Sequence, residues 1–287
     1  MYKHTRRQFL KAAGLAMGTA GMIGTPLAAG RRRGEQDRPN ILWITSEDNS
    51  PLLGCYGDKQ AHTPNLDQLA REGVRYRNAF ANAPVCSAAR STLITGMLAC
   101  SVGLHNHRSK VDIPDSLGSY PEYMRQAGYY CTNNSKMDYN YTRKGNEAWD
   151  ESSKKAHYDK RRPGQPFFAV FNTTLSHEGQ LTEQIVARRR KEGILPPKPR
   201  IAPEDVKFPP YYADTPIVRR DWSIYYDNVT LMDKEVGRLL KELDDKGLAE
   251  DTIVFYYADH GGALPRGKRN IHDSGTRVPF IMRFPKK

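Results

Sequence analysis

Cysteines and long apolar stretches are both scarce in this chain of 287 residues. The four cysteines are too few for a disulfide scaffold and lack the paired spacing of a structural zinc site, although they could form one bridge. The chain has no run of about eighteen apolar residues, which excludes a membrane-spanning helix. A hydrophobic fraction of 38% excludes a wholly disordered chain, and glycine without a repeating period excludes collagen. The class that remains is a soluble globular protein.

Acidic residues are absent from residues 1–34, a segment that holds seven lysines and arginines of a chain whose net charge is +12. The rest of the chain is therefore only mildly basic, with local clusters at residues 160–162 and 188–191. These clusters fit solvated loops, or a surface for a polyanionic substrate. Because no nucleic-acid recognition motif accompanies the charge, nucleic acid is not an expected partner.

The N-terminus has the layout of an export signal. Arg6 and Arg7 precede a stretch of small apolar residues at 12–23, and small residues at 26–29 offer a cleavage site. Paired arginines in this setting resemble the twin-arginine signal, which sends folded proteins across the bacterial inner membrane. The resemblance implies a signal peptide over residues 1–30, the twin-arginine export machinery as a partner, and a periplasmic or secreted location. A basic amphipathic helix or an uncleaved anchor is the alternative.

Apolar runs and periodic spacing predict strands that alternate with helices after the N-terminal segment. Four short apolar runs are predicted as strands, at residues 40–45, 166–171, 252–258 and 278–284. Capping residues and periodicity predict helices that begin after Thr63, cover residues 116–127 and extend from residue 219 to Gly247. The proline-rich residues 191–216 are predicted as a surface excursion. This alternation indicates an α/β fold, a layered α/β/α sandwich around a largely parallel sheet, in one domain over residues 38–287.

Charged residues follow three of the predicted strands. Glu47 and Asp48 follow the first, His177 comes after the second, and Asp259 and His260 follow the third. The carboxyl ends of parallel strands lie at one edge of a sheet, so these side chains could meet at one site, although acids that merely cap strands are the alternative. Carboxylate oxygens suit Ca²⁺ or Mg²⁺. A divalent cation among basic residues would bind a tetrahedral oxyanion and stabilise a leaving group, which favours sulfate or phosphate ester chemistry.

Residues 84–96 read PVCSAARSTLITG, with Cys86 four residues before Arg90. This segment resembles the signature of the type I sulfatases, a family of the alkaline-phosphatase-like superfamily. In that family the cysteine of a Cys-x-Pro-x-Arg motif becomes formylglycine, whose hydrate is the nucleophile. The resemblance covers most of residues 38–287. It includes the segments NIL at 40–42, GCYG at 54–57, TPNLD at 63–67 and GTRVP at 275–279.

The resemblance implies a calcium site at the strand ends. Glu47 and Asp48 match the first acidic pair of the family, and Asp259 and His260 match its Asp-Asn or Asp-His pair. Together with the modified Cys86 they are the implied ligands of Ca²⁺, with Mg²⁺ less favoured.

The resemblance also implies the catalytic residues beside Cys86. Arg90 matches the arginine that steadies the hydrate, and Lys136 and Lys268 match two sulfate-binding lysines. His177 matches the histidine near the ester oxygen, where it can protonate the departing oxygen. The implied function is removal of sulfate from a sulfated sugar or glycosaminoglycan by an exported, calcium-dependent sulfatase.

The sequence departs from the family pattern at several points. Ala88 replaces the proline of the signature, so the implied partner is an anaerobic-type formylglycine-generating maturase, which is expected to accept alanine. Glu47 replaces an aspartate and keeps its charge, and Asp138 stands where many members have a histidine. The chain ends at Lys287, whereas family members usually continue into a smaller C-terminal subdomain, so we expect this domain to be incomplete.

Two other functions stay open. A phosphodiesterase or phosphonate hydrolase would use the same fold, and turnover of sulfate and phosphate esters of one aryl group distinguishes it. A non-catalytic member would bind sulfated glycan and keep an unmodified Cys86 thiol. His105 and His107 come shortly after the signature and could line the pocket, but we interpret them as ordinary loop residues.

Overall fold

The computed structural model describes residues 38–142 and 145–285, so the predicted signal peptide at residues 1–30 lies outside the described residues. Within them, seven strands form one sheet: β1 (Asn40–Ser46), β2 (Val74–Arg75), β3 (Tyr130–Asn134), β4 (Glu151–Ser152), β5 (Phe167–Thr173), β6 (Thr252–Ala258) and β7 (Phe280–Arg283). Their order is β2-β7-β6-β1-β5-β3-β4. The pairs from β6 to β4 are parallel, whereas β7 runs antiparallel to both β6 and β2.

Helices cover both faces of this sheet. The α-helices of the described residues are α1 (Pro64–Glu72), α2 (Cys86–Thr95), α3 (Tyr120–Gln126), α4 (Glu183–Lys191), α5 (Pro216–Asp245) and α6 (Asp273–Thr276). Leu42 and Ile44 of β1 belong to an apolar cluster shared with α1 and α5. Trp43, between them, packs edge-on against Phe168 in a second cluster that includes Ile94 of α2. The predicted α/β/α sandwich is therefore confirmed. In the described part of the chain, no helix is long and apolar enough to cross a membrane.

Two predicted helix starts were wrong, and local capping explains both. The helix predicted from residue 116 begins at Tyr120, because Ser119 and Glu122 form a capping box in which the Ser119 N–H and hydroxyl both contact Glu122 Oε2. The helix predicted from residue 219 begins at Pro216, since Thr215 Oγ1 accepts the Val218 N–H over 3.4 Å.

The proline-rich excursion is free of strands and α-helices over residues 192–215, as predicted. It nevertheless packs against the body of the domain, since Leu195 and Val206 are buried. The four cysteines are all free thiols, so the single bridge that the sequence allowed does not form.

Candidate active site

Three carboxylates lie together at the carboxyl edge of the sheet. Ser46, the last residue of β1, pairs with Ala258, the last residue of β6, so the residues that follow each strand emerge side by side. Glu47, Asp48 and Asp259 are all buried there. The Asp48 N–H donates to Asp259 Oδ1 over 3.3 Å, and Asp48 adopts a left-handed backbone with φ of 48°. The register of the two strands therefore concentrates negative charge at one point.

Arg90 reaches these carboxylates from α2. Its Nε donates to Asp259 Oδ2 over 3.0 Å, and its Nη2 lies 3.4 Å from Glu47 Oε1. Its Nη1 donates to Asn172 Oδ1 over 2.7 Å. Burial acts to lower the pKa of Arg90, but the charges of Asp259 and Glu47 outweigh it and raise that pKa. Asn172 had no predicted role, although its place at the end of β5 was a usable signal.

Cys86 is the first residue of α2 and is buried against the same carboxylates. Its Sγ lies 3.2 Å from His260 Nε2 and 4.0 Å from Asp48 Oδ1. Burial acts to raise the pKa of the Cys86 thiol, but hydrogen bonds with His177 and His260 outweigh it and lower the pKa to about 7. Two histidines and the Asp48 carboxylate therefore surround the Cys86 thiol.

Two lysines from different loops contact the carboxylate cluster. Lys136, which follows β3, places Nζ 2.8 Å from Glu47 Oε1. Lys268 is buried, and its Nζ donates to both Asp48 oxygens, over 3.0 and 3.1 Å. Burial acts to lower the pKa of Lys268, but the charge of Asp48 and its other anionic neighbours outweigh it and raise that pKa. The Lys268 ammonium group therefore stays charged.

His177 presents a proton-carrying nitrogen to this site. The Gly179 N–H donates to His177 Nδ1 over 3.0 Å, so the proton of a neutral ring is on Nε2. Nε2 lies 3.2 Å from Lys268 Nζ, and because an ammonium group can only donate, this contact is not a hydrogen bond while Nε2 carries the proton. A hydrogen bond with Cys86 raises the pKa of His177, and burial opposes it.

Glu178 and Arg269 were not predicted as site residues. They link the loop after β5 to the loop that carries Lys268. Glu178 accepts from both terminal nitrogens of Arg269, over 2.7 and 2.8 Å, and its Oε1 lies 3.0 Å from Lys268 Nζ. The Glu178 N–H donates to Asp48 Oδ2 over 2.7 Å. Arg269 is the largest influence that lowers the pKa of Glu178, to about 2. Only its position next to His177 could have indicated Glu178 from the sequence.

Glycines allow the loop that carries Lys268 to fold back on the end of β6. A Cβ on Gly261 would lie 2.2 Å from the Ser274 carbonyl oxygen, and one on Gly275 would lie 2.0 Å from the Asn270 carbonyl oxygen. No side chain fits such distances, so glycine is required at both positions for the backbone to approach.

The predicted site residues form one connected set of contacts: Glu47, Asp48, Cys86, Arg90, Lys136, His177, Asp259, His260 and Lys268. His105 and His107 stand apart from it. His107 Nδ1 lies 2.8 Å from Ser87 Oγ, and the side chain is exposed, as is that of His105.

The donor set at this edge fits a hard divalent cation. Glu47, Asp48 and Asp259 supply carboxylate oxygens, the ligands that Ca²⁺ and Mg²⁺ prefer. His260 Nδ1 donates to the Gly261 carbonyl over 3.0 Å, an orientation typical of histidines that ligate through the other nitrogen. Burial acts to lower the pKa of His260, but Asp259 and Asp48 raise it to about 10, which shows that the cluster favours positive charge. These four residues, with position 86, would hold the cation.

The fold and this site define a member of the alkaline-phosphatase-like superfamily. Residues 39–152 and 130–287 match the family model described as Sulfatase, and the chain belongs to that family.

Sequence relatives agree with this family assignment, and a solved structure shares the fold. The chain is 40% identical over 288 residues to an ulvan-active sulfatase of Formosa agariphila, covering 88% of this chain and 48% of the relative. It is 27% identical to human N-sulphoglucosamine sulphohydrolase, covering 86% of this chain and 55% of the relative. The chain thus spans about half the length of these curated relatives. A solved complex of a protein with its substrate D-glucosamine-2-N,6-O-disulfate superposes with a TM-score of 0.67 at 18% identity, covering 87% of this chain and 72% of the other.

Proposed function

We propose that this chain is the catalytic part of a sulfatase that removes sulfate from a sulfated sugar or glycosaminoglycan. The observation that carries the proposal is the meeting of Cys86 Sγ with a buried carboxylate cluster and three cationic side chains at one edge of the sheet. The names of the relatives and the substrate of the solved complex support a sulfated sugar as substrate. Export through the twin-arginine machinery to the periplasm or beyond is part of the proposal and rests on the sequence.

Two groups would complete the site. Formylglycine at position 86, made by a maturase, would in its hydrated form supply a nucleophilic hydroxyl and a second hydroxyl for release of sulfate. A bound Ca²⁺ would supply positive charge against the sulfuryl oxygens.

Basic side chains of the chain itself would bind and orient the sulfate. Lys136 and Lys268 approach from opposite loops, so their ammonium groups can neutralise two sulfuryl oxygens. Arg90 is fixed by Asp259 and Asn172, and lies one helical turn after Cys86, where it would orient the group at position 86. Such donors stabilise developing charge without reorganising during the reaction.

His177 would protonate the departing oxygen. Its Nδ1 is engaged by the Gly179 N–H, which fixes the ring and leaves the proton on Nε2. Because Nε2 lies 3.2 Å from Lys268 Nζ, an oxygen bound next to Lys268 is within reach of that proton.

The test is the chemical state of position 86 together with sulfate release. The full chain is expressed with an anaerobic-type maturase, and the mass of the peptide spanning Cys86 is measured. We expect the mass of the aldehyde or its hydrate, and release of sulfate from D-glucosamine-2-N,6-O-disulfate and from 4-nitrophenyl sulfate.

Cysteine variants provide the matched controls. Cys86→Ala should abolish sulfate release, whereas Cys131→Ala, at another buried free cysteine, should retain it. An unmodified thiol with no sulfate release would contradict the proposal and favour a glycan-binding protein. Undiminished release by Cys86→Ala would exclude position 86 as the nucleophile.

A further inference from the structure

One carboxylate beside the sulfate-binding lysine has no function in the chemistry described above. Asp138 follows Lys136 by two residues and adopts a left-handed backbone with φ of 54°. Its side chain is 17% exposed, and its Oδ2 lies 3.7 Å from Lys136 Nζ. Because the same ammonium lies 2.8 Å from Glu47 Oε1, Asp138 borders the group that would hold the sulfate.

The Asp138 carboxylate has unused capacity to accept hydrogen bonds. Its Oδ2 is buried and, within the described part of the chain, has no hydrogen-bond partner. Its Oδ1 lies 3.6 Å from Nε of Arg108, whose side chain is 70% exposed. Both distances to cationic nitrogens exceed that of a normal hydrogen bond. A carboxylate can accept about four hydrogen bonds, and a buried oxygen that accepts none is costly.

A negative charge here also opposes an anionic substrate. A carboxylate next to a sulfate-binding lysine repels the sulfate unless another part of the substrate makes a favourable contact with that carboxylate. A hydrogen-bond donor on the leaving group, close to the ester oxygen, would supply that compensation. In a sugar sulfate this donor is a hydroxyl on the neighbouring carbon.

We propose that Asp138 is a specificity-determining residue that accepts a hydrogen bond from a hydroxyl adjacent to the sulfate ester, and so selects sulfates with a free vicinal hydroxyl. This inference rests on the proposed sulfatase function and narrows its substrate class. A site built to bind a substrate hydroxyl discriminates against the analogue that lacks it, because its own buried polar group is then unpaired.

A matched pair of aryl sulfates tests the inference. The probes are 2-hydroxyphenyl sulfate, which has a hydroxyl beside the ester, and phenyl sulfate, which has none; 4-hydroxyphenyl sulfate controls for a hydroxyl placed elsewhere. A hydrogen bond to a charged acceptor predicts that the wild-type kcat/KM is about tenfold or more higher for 2-hydroxyphenyl sulfate than for either of the other two. Because each ratio is measured in one sample, incomplete maturation or metal loading does not affect it.

Variants then assign the preference to the carboxylate. Asp138→Ala should bring the ratio close to one, and Asp138→Asn, which keeps an acceptor oxygen without the charge, should give an intermediate ratio. Asp112→Ala, at an exposed aspartate that pairs with Thr142, should leave the ratio unchanged.

The outcomes separate the two proposals. A wild-type ratio near one, or an Asp138→Ala variant that loses activity on all probes but keeps the ratio, would overturn the inference and leave the sulfatase function standing. The second result would mean that Asp138 only positions Lys136. If formylglycine-bearing protein hydrolysed none of the probes and released no sulfate from D-glucosamine-2-N,6-O-disulfate, the proposed function would be defeated, and the inference with it.

Discussion

Replacement of Arg90 by methionine should destabilise the fold far more than the same change at an exposed arginine. The Arg90 side chain is 5% exposed and pairs with Asp259 at 3.0 Å and Glu47 at 3.4 Å, both of which are themselves buried. Arg90→Met keeps an unbranched stem but removes the arginine that pairs with buried Asp259, and leaves buried Glu47 with Lys136. Removal of one partner from a buried ion pair costs about 3–5 kcal/mol, because the remaining charge is desolvated and uncompensated.

Arg238 provides the matched control. It also pairs with two carboxylates, Glu235 at 2.8 Å and Glu242 at 3.1 Å, but its side chain is 55% exposed. Exposed ion pairs contribute about 0–1 kcal/mol, so Arg238→Met should change the free energy of unfolding by no more than this. The two variants therefore share residue type, replacement and number of partners, and differ in burial.

The assay is urea unfolding followed by tryptophan fluorescence, with EDTA present so that a bound cation does not compensate for the lost charge. We expect the free energy of unfolding of Arg90→Met to fall at least about 2 kcal/mol further than that of Arg238→Met. Equal losses would refute the reasoning, because they would mean that Glu47 and Asp259 do not depend on Arg90 for their burial.

Three further predictions concern the loop, the proton donor and the cation. Gly261→Ala places a methyl group 2.2 Å from a backbone oxygen, so it should lower the free energy of unfolding by about 2 kcal/mol or more. The methyl group of Gly193→Ala meets open space, so this variant should lose only about 1 kcal/mol, the cost of its left-handed backbone. Similar losses of the two variants in urea unfolding would contradict the packing argument. His177→Gln should reduce kcat by about 100-fold or more on a sugar sulfate but much less on 4-nitrophenyl sulfate, whose leaving group needs no proton, and equal reductions would exclude protonation by His177. EDTA should lower the midpoint of thermal unfolding and excess Ca²⁺ should restore it, since a ligand that binds only the folded state stabilises it; a midpoint unaffected by both would argue against a cation site.

The sequence predicted the four strands that carry apolar runs, β1, β5, β6 and β7, the last predicted over residues 278–284 and observed over Phe280–Arg283. β1, β5 and β6 lie inside the sheet, so nearly every residue is apolar and the run is visible without any neighbours. β3 has the sequence YCTNN, and β2 and β4 have two residues each, so none of them carries a run to detect. Helix α2 was not predicted, for a different reason. It is buried on nearly all sides, including Ser87, Arg90 and Ser91, and therefore has no apolar stripe opposite a polar one.

The site residues also differ in how far the sequence alone could predict them. The acids at the ends of β1 and β6 follow from topology, because parallel neighbours end at one edge and the pairing of Ser46 with Ala258 aligns them. Lys136 and Lys268 lie in irregular loops, and only the resemblance to a known family indicated them. Neither route identified Glu178, whose role depends on the approach of Arg269 from a segment 91 residues away.

Substrate charge offers a way to separate a sulfatase from a phosphate monoester hydrolase on the same fold, whereas phosphodiesters and phosphonate monoesters carry one negative charge, as a sulfate ester does. Five carboxylates surround the pocket, and five arginines and lysines pair with them: Glu47, Asp48, Asp138, Glu178 and Asp259 with Arg90, Arg108, Lys136, Lys268 and Arg269. A phosphate monoester is close to doubly charged at neutral pH, since its second pKa is about 6, and it would be repelled by Asp138. We therefore expect 4-nitrophenyl sulfate to be hydrolysed faster than 4-nitrophenyl phosphate. Asp138→Ala should narrow that ratio by about tenfold, because one unit charge at about 6 Å and an effective dielectric constant of about 40 contributes about 1.4 kcal/mol. Faster turnover of the phosphate by the wild type would favour a phosphate monoester hydrolase, and an unchanged ratio in Asp138→Ala would show that this carboxylate does not set the preference.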